Sequence, residues 1–359
     1  MAKVVRFFLE AASPHGMVAR PDQLGEPGNW RTWMVTGGSA RGRAALLAQV
    51  EEALAREDRE EILSLHNPKE LAGVIVPARK VSAADGDRFP SPRPRCPGGF
   101  ERMVSLWDCL DQGQLFAARR ELLNLSGEEK RLRKDAGGYL YAAGALLGEL
   151  ASVGNAAMDR GKLLAYAQRL ALREFPRPLP GGARGKESVR FLSALTGEGP
   201  VLLRETIPLA APRTIAIEDS WGAVSNALLE ALRELALEAG LDVITCRCPL
   251  FPFTKLEYLL LPGPGLGFFA LNPGNAKAIA GIAERTIHAS RFSDMALLGE
   301  RRARSAFLRK AAAGLLDQAG QVLCQAETVR LELDRFYHAA MDQAAAGEIA
   351  RQVAAEMMQ

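Results

Sequence analysis

The sequence predicts an α/β protein made of two similar domains in tandem, and three observations carry that prediction. First, the chain repeats itself. Ala156-Ala157-Met158-Asp159 recurs 183 residues on as Ala339-Ala340-Met341-Asp342, and Val5-Arg6-Phe7-Phe8 recurs 184 residues on as Val189-Arg190-Phe191-Leu192. The run 71–77 likewise recurs 185 residues on as 256–262. A near-constant offset over most of a 359-residue chain means duplication and fusion of one unit. Second, each copy orders a strand, a helix and another strand, which reads as a βαβ unit in a parallel sheet. Third, each copy ends in an Ala/Leu/Arg/Glu-rich stretch with helical periodicity, read as an appended α-helical hairpin.

Each copy opens with an apolar, arginine-bearing segment and a loop containing Gly16 or Gly199. A strand follows, residues 30–36 or 214–217, then a turn and a helix. The helix at 44–56 carries Leu46, Leu47, Val50 and Leu54 on one face; that at 225–239 carries Leu228, Leu229, Leu232 and Leu235. Strands at 61–65 and 241–246 come next, then the apolar runs 74–77 and 259–262. Residues 115–172 and 295–358 supply the two helical tails. The Pro/Gly-rich stretch 175–186 has linker composition, which divides the chain into domain 1–174, linker 175–187 and domain 188–359. Residues 88–99, with Pro90, Pro92, Pro94 and Pro97, read as an extended surface loop.

Composition narrows the function classes. An apolar share of 48% with 24% charged residues is that of a globular protein, and no run of 18 apolar residues exists to span a membrane. The apolar N-terminal run is cut short by Glu10, too soon for a secretion signal. A net charge of +3 is too small to argue for nucleic acid by itself. The five cysteines are odd in number and irregular in spacing, with Cys246 and Cys248 the one close pair and no matching His/Cys pair for zinc. Reduced thiols in a cytoplasmic protein are the expectation.

One segment carries chemistry. Gly37-Gly38-Ser39-Ala40-Arg41-Gly42-Arg43-Ala44 joins a strand to a helix with the glycine spacing of a phosphate-binding loop. In such a loop backbone N–H groups and the helix N-terminus hold phosphates, a lysine reaches the terminal phosphate, and a hydroxyl binds Mg²⁺. Here Arg43 and Ala44 stand where the lysine and hydroxyl belong, so anion binding is separable from Mg²⁺-assisted hydrolysis, which loses its metal ligand. Gly37, Gly38, Ser39, Arg41, Gly42 and Arg43 are the candidate nucleotide contacts. Asp85 is a candidate for the second, metal-facing carboxylate, or a turn residue before Gly86. In the second copy, residues 217–226 keep Gly222 and no lysine, and Glu218 and Asp219 face the place a phosphate needs.

At these residues the chain resembles a family of bacterial tandem P-loop ATPases. The resemblance rests on 37–47, 66–77, Asp85-Gly86 and 97–106 in the first half. In the second it rests on 240–243, Cys248-Pro249, 256–262 and 336–342. It implies two P-loop NTPase-like domains, each with a helical hairpin, and ATP or another nucleotide as ligand. The sequence departs from the family at Arg43, Ala44, Ser225 and Asn226.

Other candidates are weaker. His66 and Cys248 both follow a second strand but differ in chemistry, and His338 reads as a helix-surface residue. The helical tails offer faces to a protein partner or a second copy of the chain, or pack on their own domain. Arg301, Arg302, Arg304, Arg309 and Lys310 form a basic helix face, solvated or open to nucleic acid. Three readings therefore stand, in this order: a degenerate tandem ATPase-like protein holding nucleotide weakly in its first domain; a non-catalytic scaffold binding a protein or nucleic acid through its helices; and an active enzyme in which Arg43 and Asp85 sustain slow phosphoryl chemistry.

Overall fold

The computed structural model of the chain describes residues 2–26, 28–89, 96, 98–176 and 182–359. The first half runs β1 (Val4–Phe7), β2 (Glu10–Ser13), β3 (Gly16–Ala19), β4 (Arg31–Thr36), α1 (Ala40–Ala53), β5 (Arg59–Leu63), β6 (Leu71–Val76), β7 (Val81–Asp85) and β8 (Glu101–Ser105). It closes with α2 (Gln112–Ala117), α3 (Arg119–Ala156) and α4 (Arg160–Glu174). The second half repeats that order as β9 (Glu187–Arg190), β10 (Ser193–Thr196), β11 (Gly199–Leu202), α5 (Thr206–Ala210), β12 (Arg213–Glu218), α6 (Ala223–Glu238) and β13 (Val243–Cys248). Then come β14 (Phe251–Leu261), β15 (Leu266–Leu271), β16 (Arg285–His288), α7 (Met295–Glu300), α8 (Arg302–Ala339) and α9 (Gln343–Met358). Apart from α5, which stands where the first half has a 3-10 turn at Pro21–Gln23, the elements correspond one to one.

The duplication extends to topology. One six-stranded sheet has the order β1-β5-β6-β7-β4-β8 and the other, read from its matching edge, β9-β13-β14-β15-β12-β16. Both sheets are mixed, which corrects the expected parallel sheets. The β1–β5, β4–β7 and β4–β8 pairs are parallel, but β6 is antiparallel to both neighbours, and β14 behaves alike. The reason is local: residues 77–80 turn from β6 into β7 with Lys80 at φ 55°, far too tight for a crossover.

The helical tails also differ from the expected hairpins. Helices α3 and α8, each of 38 residues, pack along one another. They run antiparallel, since Glu149 meets Arg304 while Arg133 and Glu327 both meet His66. The terminal helices then cross over. Helix α4 covers α6 of the second half and α9 covers α1 of the first. Thus Trp33, Leu46, Leu47 and Val50 share a core with Ala346, Ala350, Val353 and Met357, while Leu163, Ala167 and Leu170 complete the core around Ile215, Leu228 and Leu232. Burying Val353 and Met357 contributes about 1.5–3 kcal/mol each. Units 1–174 and 188–359 therefore exchange their last helices. The opposite faces of the two sheets share a third core, with Phe7, Met34 and Ile75 against Ala216, Tyr258 and Phe269.

The repeat that announced the duplication is where the exchange is fastened. Asp342 donates its amide to the Cys109 carbonyl at 2.7 Å and Asp111 donates to Ala340 at 2.8 Å; Asp159 with Phe292 and Asp294 with Ala157 reproduce this in the other half. The Asp159 and Asp342 side chains then cap α4 and α9. On the axis relating the halves, Phe8 and Phe191 exchange both backbone hydrogen bonds at 2.9 Å. Of the Pro-rich loop 88–99, residues 90–95 and 97 lie outside the described residues, as do 177–181 of the linker. Among the described residues no helix is long and apolar enough to cross a membrane.

Candidate functional site

The loop between β4 and α1 has the expected strand–turn–helix context. Gly37 and Gly38 turn with φ of 78° and 66°, which side-chain-bearing residues rarely adopt, and Ser39 caps α1 by accepting from the Gly42 amide at 2.9 Å. The glycines are also packed over. A Cβ on Gly37 would lie 2.7 Å from the Trp107 ring, and one on Gly42 2.5 Å from the Met341 sulfur. Met341 arrives with α9, so the loop is part of the seam between the halves.

Several of the amides a phosphate would use already have partners. The Ala40 amide donates to Asp334 Oδ1 at 2.6 Å, and the Gly37 amide donates to Asp87 Oδ2 at 3.1 Å. Asp334 comes from α8 and is 5% exposed. Its negative charge sits where the α1 dipole favours an anion. Arg43 turns inward. Its Nε donates to Asp85 Oδ1 at 2.8 Å, its Nη1 donates to the Gly37 carbonyl at 2.9 Å, and Asp87 Oδ2 lies 3.0 Å from Nη1. The planar fork thus staples the loop to the end of β7. Asp85, buried, binds Arg43 and lies 3.2 Å from Arg88. Arg41 is partly exposed and 3.6 Å from Asp334 Oδ2. The structure therefore brings all seven candidate residues together, with Asp334, Asp87 and Arg88 added to them.

The second copy reaches the same end differently. Asp219, just after β12, accepts from the Trp221 amide at 2.9 Å and from the Ser225 amide at 2.8 Å and hydroxyl at 3.1 Å. Its carboxylate thus satisfies the N-terminal donors of α6 itself. Glu218 points away to His288 at 2.5 Å. Although this copy lacks a loop lysine, β14 supplies one: the Lys255 side chain comes 3.7 Å from the point where a Cβ on Gly222 would sit. Lys255 Nζ lies 3.1 Å from Glu257. Burial opposes its charge, but Cys248 and Glu257 outweigh that and hold its pKa above the ordinary lysine value. Burial, reinforced by Glu257, pushes the Cys248 thiol up to about 12, so it is neutral at pH 7. All five cysteines are free thiols.

A cavity opens in front of each loop, at the carboxyl ends of the parallel strands, the usual place for ligands in open α/β sheets. The first is about 540 Å³ and reaches Gly38, Ala40 and Arg43. Its walls are charged: Arg88, Arg133 and Arg330 against Glu10, Glu129 and Asp334. Arg88 Nη1 and Asp334 Oδ2 are buried there with no hydrogen-bond partner. Burial, only partly offset by Arg88, raises the Glu10 pKa. His66 Nδ1 lies between two side chains, 2.9 Å from Arg133 Nη2 and 3.2 Å from Glu327 Oε2. Burial, with Arg88, Arg133 and Arg330 around it, takes its pKa down to about 3 although Glu327 opposes that. Glu327 falls to about 2 despite its burial, through His66 and Arg330. The second cavity, about 780 Å³, reaches Asp219, Gly222 and Lys255.

Sequence reasoning located the first loop but missed Asp334, Arg88 and Lys255. Comparison with known proteins finds no matching family model, no similar curated protein and no similar solved structure.

Proposed function

We propose that this chain is a non-hydrolysing scaffold in which two phosphate-loop-like turns serve the seam between halves rather than nucleotide chemistry. One observation carries the reading: an internal carboxylate, Asp334 in the first half and Asp219 in the second, occupies the helix N-terminus a phosphate would use. A phosphate oxygen brought to about 4 Å from such a carboxylate is repelled by about 1 kcal/mol in water and about 4 kcal/mol at an effective dielectric of 20. Arg43, the cation nearest the loop, is already committed to Asp85 and Asp87. The paired α3 and α8 are the longest elements and leave Leu123, Tyr141 and Phe307 exposed, which suits them to contacts with a protein partner.

A second reading, weak nucleotide binding in the first half, draws support from the charged cavity beside Gly38, where Arg88 Nη1 makes no hydrogen bond and has only Glu10, 3.5 Å away, as ion-pair partner. Phosphate release and thermal unfolding with Mg-ATP separate the two. The scaffold reading expects release at the buffer rate and an unchanged Tm. A raised Tm without release selects the second reading. Release abolished by Arg43→Ala overturns both.

A further inference from the structure

The two cavities occupy equivalent places in the duplicated fold, yet their walls are built from opposite chemistry. Helices α3 and α8 correspond residue for residue at an offset of 183, and both roof each cavity. At this offset Arg330 corresponds to Leu147, Asp334 to Ala151, Arg133 to Leu316 and Glu129 to Ala312. The first member of each pair lines the first cavity, and the second lines the other. Four charged positions around the first cavity are thus apolar around the second. The apolar replacements do not fill the space, since the second cavity is the larger, at about 780 Å³ against 540 Å³.

Its positive groups lie at one side. Lys255 stands beside the loop at Gly222, one of its ammonium donors directed to Glu257. Arg309 lies over the Trp221 ring, 5.6 Å from its centroid, and donates to the Ser220 carbonyl at 3.3 Å, while Lys310 is exposed at the mouth. Against these three cations the lining carries two carboxylates, Asp219 and Glu257, and Asp219 is already hydrogen-bonded to the α6 N-terminus. We propose that this second-half cavity binds an anionic amphiphile, its apolar body against Leu147, Leu150 and Leu316 and its acidic head at Lys255. The ligand class is a carboxylate or phosphate monoester on a chain or ring of roughly ten carbons, a size that suits cavities of ~300–1,000 Å³. This inference is independent of nucleotide binding in the first half.

The test uses the full chain and the fluorescent anion 1-anilinonaphthalene-8-sulfonate. Saturable binding of one dye per chain is expected, displaced by decanoate and decyl phosphate and not by inorganic phosphate, decanol or decyltrimethylammonium at equal concentration. Decanoate and decyl phosphate together distinguish the two head groups. Lys255→Met should weaken the dye at least about tenfold, the loss of one charge-assisted hydrogen bond. Gly148→Phe should abolish it, because Gly148 lines the cavity and a Cβ there meets nothing within 4 Å, which leaves the side chain room to enter the cavity. Absence of saturable binding, wild-type affinity in either variant, or displacement by the cationic surfactant as readily as by decanoate would overturn the proposal.

Discussion

Asp334 and Ala40, 294 residues apart in the chain, are joined by a 2.6 Å hydrogen bond from the Ala40 amide to the Asp334 carboxylate. A side chain from the second half's long helix thereby caps the first helix of the other half. Removing it in Asp334→Ala leaves a helix N-terminal donor without its partner and should cost about 1–2 kcal/mol. The vacated position should then accept a free anion. Thermal unfolding should show a lower Tm for the variant and a larger Tm gain from sulfate than wild type shows. Equal sulfate responses would contradict this.

Arg43 is predicted to be a structural cation. In Arg43→Met the buried Asp85 loses one charged partner and keeps Arg88 and the Asp87 amide, so the cost should be about 1.5–3 kcal/mol, the worth of a hydrogen bond to a charged group. Arg43→Lys should not restore the loss, because an ammonium cannot bind Asp85 and the Gly37 carbonyl in the geometry of the planar fork. Urea unfolding checks both variants. An arginine kept for phosphate would leave unfolding unchanged on replacement.

Two glycines of α3 should respond oppositely to alanine. A Cβ on Gly154 would sit 2.8 Å from the Trp221 Cβ and 2.9 Å from the Ala223 Cβ, atoms fixed to the backbone, so Gly154→Ala should lose about 1–3 kcal/mol by overpacking. At Gly148 nothing lies within 4 Å, and Gly148→Ala should gain up to about 1 kcal/mol of helix propensity. Denaturant midpoints of the pair measure how closely α3 presses on the start of α6.

Acid should weaken the fold through His66 and Glu327. The folded pKa of His66, about 3, lies below its ordinary 6.5, so between those values the unfolded chain holds a proton that the folded chain lacks. Its contribution is full above about pH 6.5 and is lost as pH falls toward 3. Glu327, lowered from 4.5 to about 2, adds a loss of the same sign over that lower window. Each group contributes at most about 1.4 kcal/mol per pH unit. Unfolding free energies at pH 7.5, 6 and 5 should fall in that order, and His66→Gln should flatten the trend.

What the sequence disclosed was local. The repeat, the strand at 31–36, the apolar face of α1 with Leu46, Leu47 and Val50, and the helical tails all follow from periodicity within short windows. The mixed sheet order escaped because direction depends on the tight turn at Lys80, which composition alone does not distinguish from other loops. The exchange of α4 and α9 escaped for a different reason. An apolar stripe such as Leu163, Ala167 and Leu170 announces that a helix must be covered, not which sheet covers it. Asp334 and Lys255 were likewise ordinary charged residues in the sequence, and only the packing of α8 and the placement of β14 bring them to the loops.

The claim that both loops hold internal carboxylates in place of phosphate is tested most directly by calorimetric titration of the full chain with Mg-ATP, alongside Asp334→Ala. The account predicts no saturable heat for wild type up to millimolar nucleotide, and phosphate release at the buffer rate. Saturable binding by wild type that disappears in Arg43→Ala would contradict it.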